Sequence, residues 1–346
     1  MRLGIVTSVP WLPGKSQEEC FREALAEVDA AEALGFDAVW FTEHHFAVHG
    51  LNSGLTAWLA AVATRTRRVR IGSTVFVLPF WDPIRLAEDA ATVDILSGGR
   101  LEFGAGTGYR IDEFKGFNVD PEISRDKGRE CLDIITRLWT GEPLTFNGKY
   151  HELNDVAVRP VPTQKPHPPI WMPGQSPESL EYIARHGYNW MSAATLASLS
   201  SIVDRRRQLE RLVHDSGRSM ADTGVYVHVP THVANATPGE IRRVTEPGIR
   251  WFRESALWYT ARPTPSGGTI YNPGGVLGPF DFESFYDDDS FFGDPETCFR
   301  KIERLWRALQ PTDLVLLFKL GQRQDEVLGS MELFASEVMP RVRRLS

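Results

Sequence analysis

Short apolar runs alternate with helically spaced stretches along the chain. Residues 2–7 are apolar and β-branched, which predicts a strand. Residues 16–34 place Phe21, Ala24, Leu25, Val28, Ala31 and Leu34 on one helical face. Ser16 with Glu19 makes a capping-box start to that helix, and Gly35 ends it. The alternation continues with strands predicted over 38–41, 69–78 and 101–103 and helices over 51–64, 84–96 and 124–140. The second half repeats it. Strands are predicted over 169–172, 190–193, 224–233 and 313–318, and helices over 176–186, 197–216, 238–256, 294–309 and 324–342. These make about eight β-then-α units with no linker wide enough to divide them, so one domain over 1–346 is expected. Units of this kind closing on themselves form a (β/α)₈ barrel. A doubly wound open sheet with an extra domain is the alternative.

Two stretches break the rhythm. Residues 147–169 are proline-rich and read as an extended surface connection. Residues 262–293 combine glycines and prolines with the acidic run Asp287, Asp288, Asp289 and with phenylalanines from Phe280 to Phe292. This is either a surface excursion or a lid over the barrel mouth, inserted before the last unit.

Composition narrows the class. The 346 residues are 42% apolar and 24% charged, with a net charge of −7. That is globular, and it disfavours a basic nucleic-acid face. Cys20, Cys131 and Cys298 are far apart, which argues against a disulfide framework or a cysteine-rich zinc site. The apolar run 55–63 is about half the length of a membrane span, and the N-terminus lacks a signal-peptide core. A cytoplasmic protein without membrane contact is expected.

In a barrel the chemistry lies where the strands end. After the second strand come Thr42, Glu43, His44, His45 and Phe46. Adjacent residues leave a strand on opposite sides, so one histidine faces the mouth and the other packs behind it. After the fourth strand, glycines at 104, 106 and 108 either let a flat ligand approach the backbone or allow close packing. They do not form the dinucleotide fingerprint. Gln175 and Ser176 open a helix, where free N–H groups attract anions, although Ser176 also suits a plain N-cap. Arg125 either adds charge for a phosphate or is simply solvated. No metal-ligand spacing and no serine nucleophile elbow occur.

These residues resemble the bacterial luciferase-like flavin monooxygenases over essentially the whole chain. The resemblance is carried by residues 40–46, by Ser97-Gly98-Gly99-Arg100-Leu101, by Arg159-Pro160-Val161-Pro162 with Pro169-Ile170-Trp171, by residues 174–179, and by the ending 330–340. It implies a TIM barrel that binds reduced FMN supplied by a separate reductase. The flavin reacts with O2 to give a hydroperoxide, which oxygenates a small organic substrate. The aromatic insertion makes that substrate a bulky apolar or aromatic one. A homodimer is expected. The resemblance places the catalytic role on His44 and flavin contacts on Glu43, Thr74, Val75, Gly106, Thr107, Arg125, Gln175, Ser176 and Ser179. It also implies a cis peptide at Thr74–Val75. Two positions depart from the luciferases. Gly106 replaces a reactive cysteine and Thr107 an arginine that binds phosphate, so light emission is not expected. Gly106-Thr107-Gly108 also resembles the deazaflavin-dependent branch, whereas Glu43-His44-His45 favours FMN. A flavin-binding barrel without catalysis is a further alternative.

Overall fold

The computed structural model describes residues 1–257 and 280–345. Eight parallel strands form a closed barrel: β1 (Arg2–Thr7), β2 (Ala38–Phe41), β3 (Arg70–Ser73), β4 (Leu101–Gly106), β5 (Ile170–Pro173), β6 (Asn189–Ala193), β7 (Val225–Val233) and β8 (Asp313–Leu317). The ring closes where β1 pairs with β8, with Arg2 opposite Asp313 and Ile5 opposite Leu316. Helices follow the strands: α1 (Gln17–Leu34), α2 (Leu55–Arg65), α3 (Pro83–Ser97), α4 (Ser124–Leu138), α5 (Pro177–His186), α6 (Leu199–Asp215), α7 (Pro295–Leu309) and α8 (Gln324–Leu333). The fold is a (β/α)₈ TIM barrel, as expected. The Ser16–Glu19 capping box forms, and Gly35 takes a left-handed φ of 90° at the C-cap.

Four predicted elements differ. The third strand ends at Ser73 and resumes only at Phe76–Val77, which pairs with the end of β4. Between them the Thr74–Val75 peptide is cis. The proline-rich connection is preceded and opened by an antiparallel hairpin, Leu144–Asn147 with Glu152–Val156. Its turn is held by the Glu130 carboxylate, which accepts N–H groups from Lys149, Tyr150 and His151. Part of the insertion is ordered structure rather than loop. Phe282–Asp288 is a helix, and Phe291–Gly293 is a strand pairing with the outer half of β7. Residues 262–279 of that insertion lie outside the described residues. The last helix is interrupted by a π turn at Phe334–Val338, which keeps Phe334 stacked on Phe36 at 6.0 Å.

The barrel interior is layered. At the N-terminal ends of the strands, Arg2 Nη1 meets Glu102 at 2.6 Å and Arg2 Nε meets Asp313 at 2.7 Å. Arg70 and the Trp171 indole N–H also reach Glu102. A cavity of about 610 Å³ opens beside these groups, at the end opposite the strand C-termini. Above them Trp40 packs edge-on against Trp171 and Tyr226, at 5.7 and 4.9 Å. The Trp40 ring lies over Gly72, where a Cβ would stand 2.0 Å from it. The mouth sits on this aromatic layer.

Candidate active site

The loop after β2 carries the two histidines, and each bonds to a different carboxylate. His45 Nε2 lies 2.9 Å from Glu43 Oε1, and its ring meets Phe117 edge-on at 4.6 Å. Glu43 is buried and also accepts the Val77 N–H at 3.1 Å and the Trp81 indole N–H at 3.0 Å. Both of its oxygens are thus engaged by the protein. The structure makes Glu43 a tie between β2 and the strand segment after Val75. His45 packs behind, as expected.

His44 has 11% of its side chain exposed and places Nδ1 3.1 Å from Glu113 Oε1. Among the described residues its Nε2 has no hydrogen-bond partner. Burial, with Arg110 and His45 nearby, holds its pKa down at about 3, so the imidazole is neutral at neutral pH. Sequence reasoning missed the groups around it. The short helix Ile111–Gly116 and the residue before it bring Arg110 and Glu113 beneath the histidine. Arg110 is fully buried. It pairs with Asp112 at 2.7 Å and Glu113 at 3.4 Å and lies 3.3 Å from His49. The His49 ring sits 4.4 Å from that of His44. A signal was present in the sequence: an arginine and two acids directly follow the glycine-rich strand.

Beside the histidines, the ends of β3 and β4 border the slot expected for a flat ligand. The Ser73 hydroxyl clips Gly104, accepting its N–H at 2.8 Å and donating to its carbonyl at 3.0 Å. A Cβ on Gly106 would stand 2.4 Å from Val75 Cγ2. Val75 thus fills the space that a side chain at 106 would need. The Thr107 methyl lies against Gly128 on α4. Thr42 Oγ1 and Gln175 Oε1 are buried with no hydrogen-bond partner, a state that calls for a polar ligand group.

At the edge of the slot, Ser176 caps α5 by accepting the Ser179 N–H at 3.2 Å, and the two hydroxyls are 2.9 Å apart. Arg125 and Arg129 both pair with Glu178 in the first turn of α5. The structure therefore brings Arg125, Ser176 and Ser179 to one helix start and adds Arg129. This edge, with the orphaned atoms beside the slot, fits a flat cofactor carrying a phosphate.

Across the mouth, His228 on β7 lies 3.1 Å from Thr195 Oγ1 and 3.3 Å from the Tyr226 hydroxyl, and burial lowers its pKa to about 4. The helix Pro238–Leu257 covers this side. Gly248 seats on Gly321, and Phe252 reaches within 6.0 Å of the His49 ring. Phe282, Phe285 and Phe292 are buried against Ile241, Ile249 and Leu320, so these aromatics cover the helix that roofs the mouth. Among the described residues no helix is long and apolar enough to cross a membrane.

The chain is 30% identical over 331 residues to the uncharacterised protein y4vJ of Sinorhizobium fredii, covering 95% of this chain and 94% of that one. It is 32% identical over 177 residues to the oxygenase component of the flavin-dependent trigonelline monooxygenase of Acinetobacter baylyi, covering 51% and 49%. An F420-dependent glucose-6-phosphate dehydrogenase of Amycolatopsis mediterranei is 33% identical over 164 residues, covering 45% and 49%. The crystal structure of monooxygenase RslO1 from Streptomyces bottropensis superposes with a TM-score of 0.87 at 25% identity, over 99% of both chains. The luciferase-like monooxygenase family model matches residues 1–312, and the chain belongs to that family.

Proposed function

We propose that the chain is the oxygenase of a two-component system that uses reduced FMN and O2 to oxygenate a small apolar or aromatic molecule. A separate reductase delivers the flavin, as the name of the Acinetobacter relative suggests by describing an oxygenase component. One observation carries the reading. A neutral, buried His44 shares a mouth with the phosphate-type edge of Arg125, Ser176 and Ser179 and with the orphaned oxygens of Thr42 and Gln175. When bound, reduced flavin supplies the electrons and the ring at which oxygen is activated.

The protein's own residues do the rest. Arg125, Arg129 and the hydroxyls of Ser176 and Ser179 would hold the phosphate, and Gln175 would offer its side-chain carbonyl to the chain beyond it. Thr74, Val75, Gly106 and Thr107 would border its ring. His44 Nε2 accepts or holds the proton that oxygen chemistry must manage at the ring. Phe252 and the apolar roof exclude water and favour an apolar substrate. Glu43-His44-His45 favours FMN over a deazaflavin.

Anaerobic titration of the purified chain with photoreduced FMN and with reduced deazaflavin F420 tests the cofactor. Admitting ¹⁸O2 with candidate substrates then tests the reaction. Tight binding of reduced FMN and one labelled oxygen in the product are expected. Preference for F420 with no labelled product refutes the reading.

A further inference from the structure

We propose that Glu113 is a positioning residue that fixes the proton of His44 on Nδ1, so that Nε2 presents a bare lone pair to the mouth. This rests on the reading of His44 as the group that faces the flavin. Glu113 Oε1 already accepts the backbone N–H of His45 at 3.0 Å and faces Arg110 Nε at 3.4 Å. A backbone N–H has no other role than donor, and a guanidinium donates only. Oε1 is thus the acceptor of the His45 N–H, and Arg110 stands beside it as an ion pair rather than as a hydrogen-bond donor. Burial raises the Glu113 pKa, while the His45 N–H and the Arg110 charge oppose that and favour the carboxylate, to which His44 Nδ1, 3.1 Å away, is the donor.

A neutral imidazole carries a single N–H. With it committed to Glu113, Nε2 is an acceptor and a base. In water the opposite tautomer, with the proton on Nε2, is the commoner one, so the protein holds His44 in its less common form. The groups that face His44 agree with this. Arg110 is fully buried, bonds to Asp112 and lies 3.3 Å from His49, and its positive charge beside Glu113 favours the accepting carboxylate. His45 is engaged by Glu43, and the Tyr109 ring stands 6.2 Å from His44, so neither competes for Nδ1. The logic is that of a carboxylate orienting a catalytic histidine.

The test needs no flavin. The full chain is labelled with ¹⁵N-histidine, and His44 is assigned by its absence from the spectrum of His44→Gln. Long-range ¹H–¹⁵N correlation at neutral pH then reports which ring nitrogen carries hydrogen. The expected spectrum shows His44 protonated on Nδ1 and bare on Nε2. Glu113→Gln keeps an acceptor oxygen and keeps that tautomer, whereas Glu113→Ala returns His44 to the Nε2–H form. In parallel assays with reduced FMN, E113A should lower kcat toward the level of His44→Ala while binding reduced FMN within several-fold, and E113Q should rescue most of the loss. Protonation of Nε2 in the wild-type spectrum overturns the proposal, and that measurement does not depend on any variant folding. An unchanged Nδ1–H form in E113A also overturns it. If the tautomers behave as stated but no substrate is oxygenated, the monooxygenase reading fails and the assignment to Glu113 stands.

Discussion

Replacing Gly106 by alanine pits the new methyl against Val75. The added Cβ would lie 2.4 Å from Val75 Cγ2 and 3.5 Å from Pro173 Cγ. Ordinary carbon contact begins near 3.4 Å, so Val75 must withdraw by about 1 Å. Valine has few rotamers with which to do so. Overpacking of this size costs about 1–3 kcal/mol. If Val75 borders the cofactor, that cost falls on binding, and the Kd for reduced FMN rises about 5- to 150-fold. If the barrel absorbs it, the same energy lowers the urea midpoint. Val75→Ala removes the clashing methyl, so V75A/G106A should recover most of the loss. The coupling in the double-mutant cycle is then favourable and well above 0.5 kcal/mol. Anaerobic fluorescence titration and urea denaturation of both single variants and the double variant give the full cycle. A G106A variant with unchanged affinity and unchanged midpoint, or a double variant no better than G106A, would falsify the reasoning.

His44→Ala should lower oxygenation about 10²- to 10⁴-fold while reduced FMN binds within several-fold. His45→Ala should instead weaken stability and flavin affinity, since it breaks the bond to Glu43; the reverse pattern in product yield would exchange the two roles. Arg125→Ala should weaken reduced FMN about tenfold or more and leave reduced riboflavin unaffected, because only FMN carries the phosphate; equal losses for both would remove the phosphate from this edge. Glu27 is 3% exposed, and desolvation raises its pKa to about 7 despite Lys319. A raised carboxyl pKa means that the folded state binds the extra proton. Its stabilising effect is therefore full below the unfolded pKa near 4.5 and is lost as pH rises through 7. Glu27→Gln should stabilise the protein at pH 8 by on the order of 1–3 kcal/mol relative to pH 5, measured as urea midpoints; a pH-independent effect would count against the buried carboxyl.

The helices with local stop signals were legible from the chain, because Gly35, Gly98 and Gly187 take left-handed caps that only the local sequence decides. His44 was legible because it directly follows a buried strand. The 144–156 hairpin was not, since its turn is held by Glu130, a residue on another element. The stretch 280–293 looked like loop because its aromatics are packed by Ile241 and Leu320, which lie far away in sequence. Glu113, His49 and His228 were missed for the same reason, as each gains its role only from a partner on another strand or loop. The ties from Val77 and Trp81 to Glu43 were not legible either, because both donors come from the segment after the break in β3.

The ionic cluster at the base of the barrel has a consequence for how such a protein can change. Glu102 on β4 receives Arg2 from β1, Arg70 from β3 and the Trp171 indole from β5, and Arg2 reaches on to Asp313 on β8. Five of the eight staves are thus hooped at one end. The hoop keeps strand register without help from the opposite rim, where His44, Gln175 and Phe252 sit. Loops on that rim can be exchanged, lengthened or stripped of chemistry while the cask stays closed. Heritable change in substrate and heritable change in melting temperature are thereby separated along the barrel axis, and chimeras cut above the base should inherit the stability of one parent and the selectivity of the other.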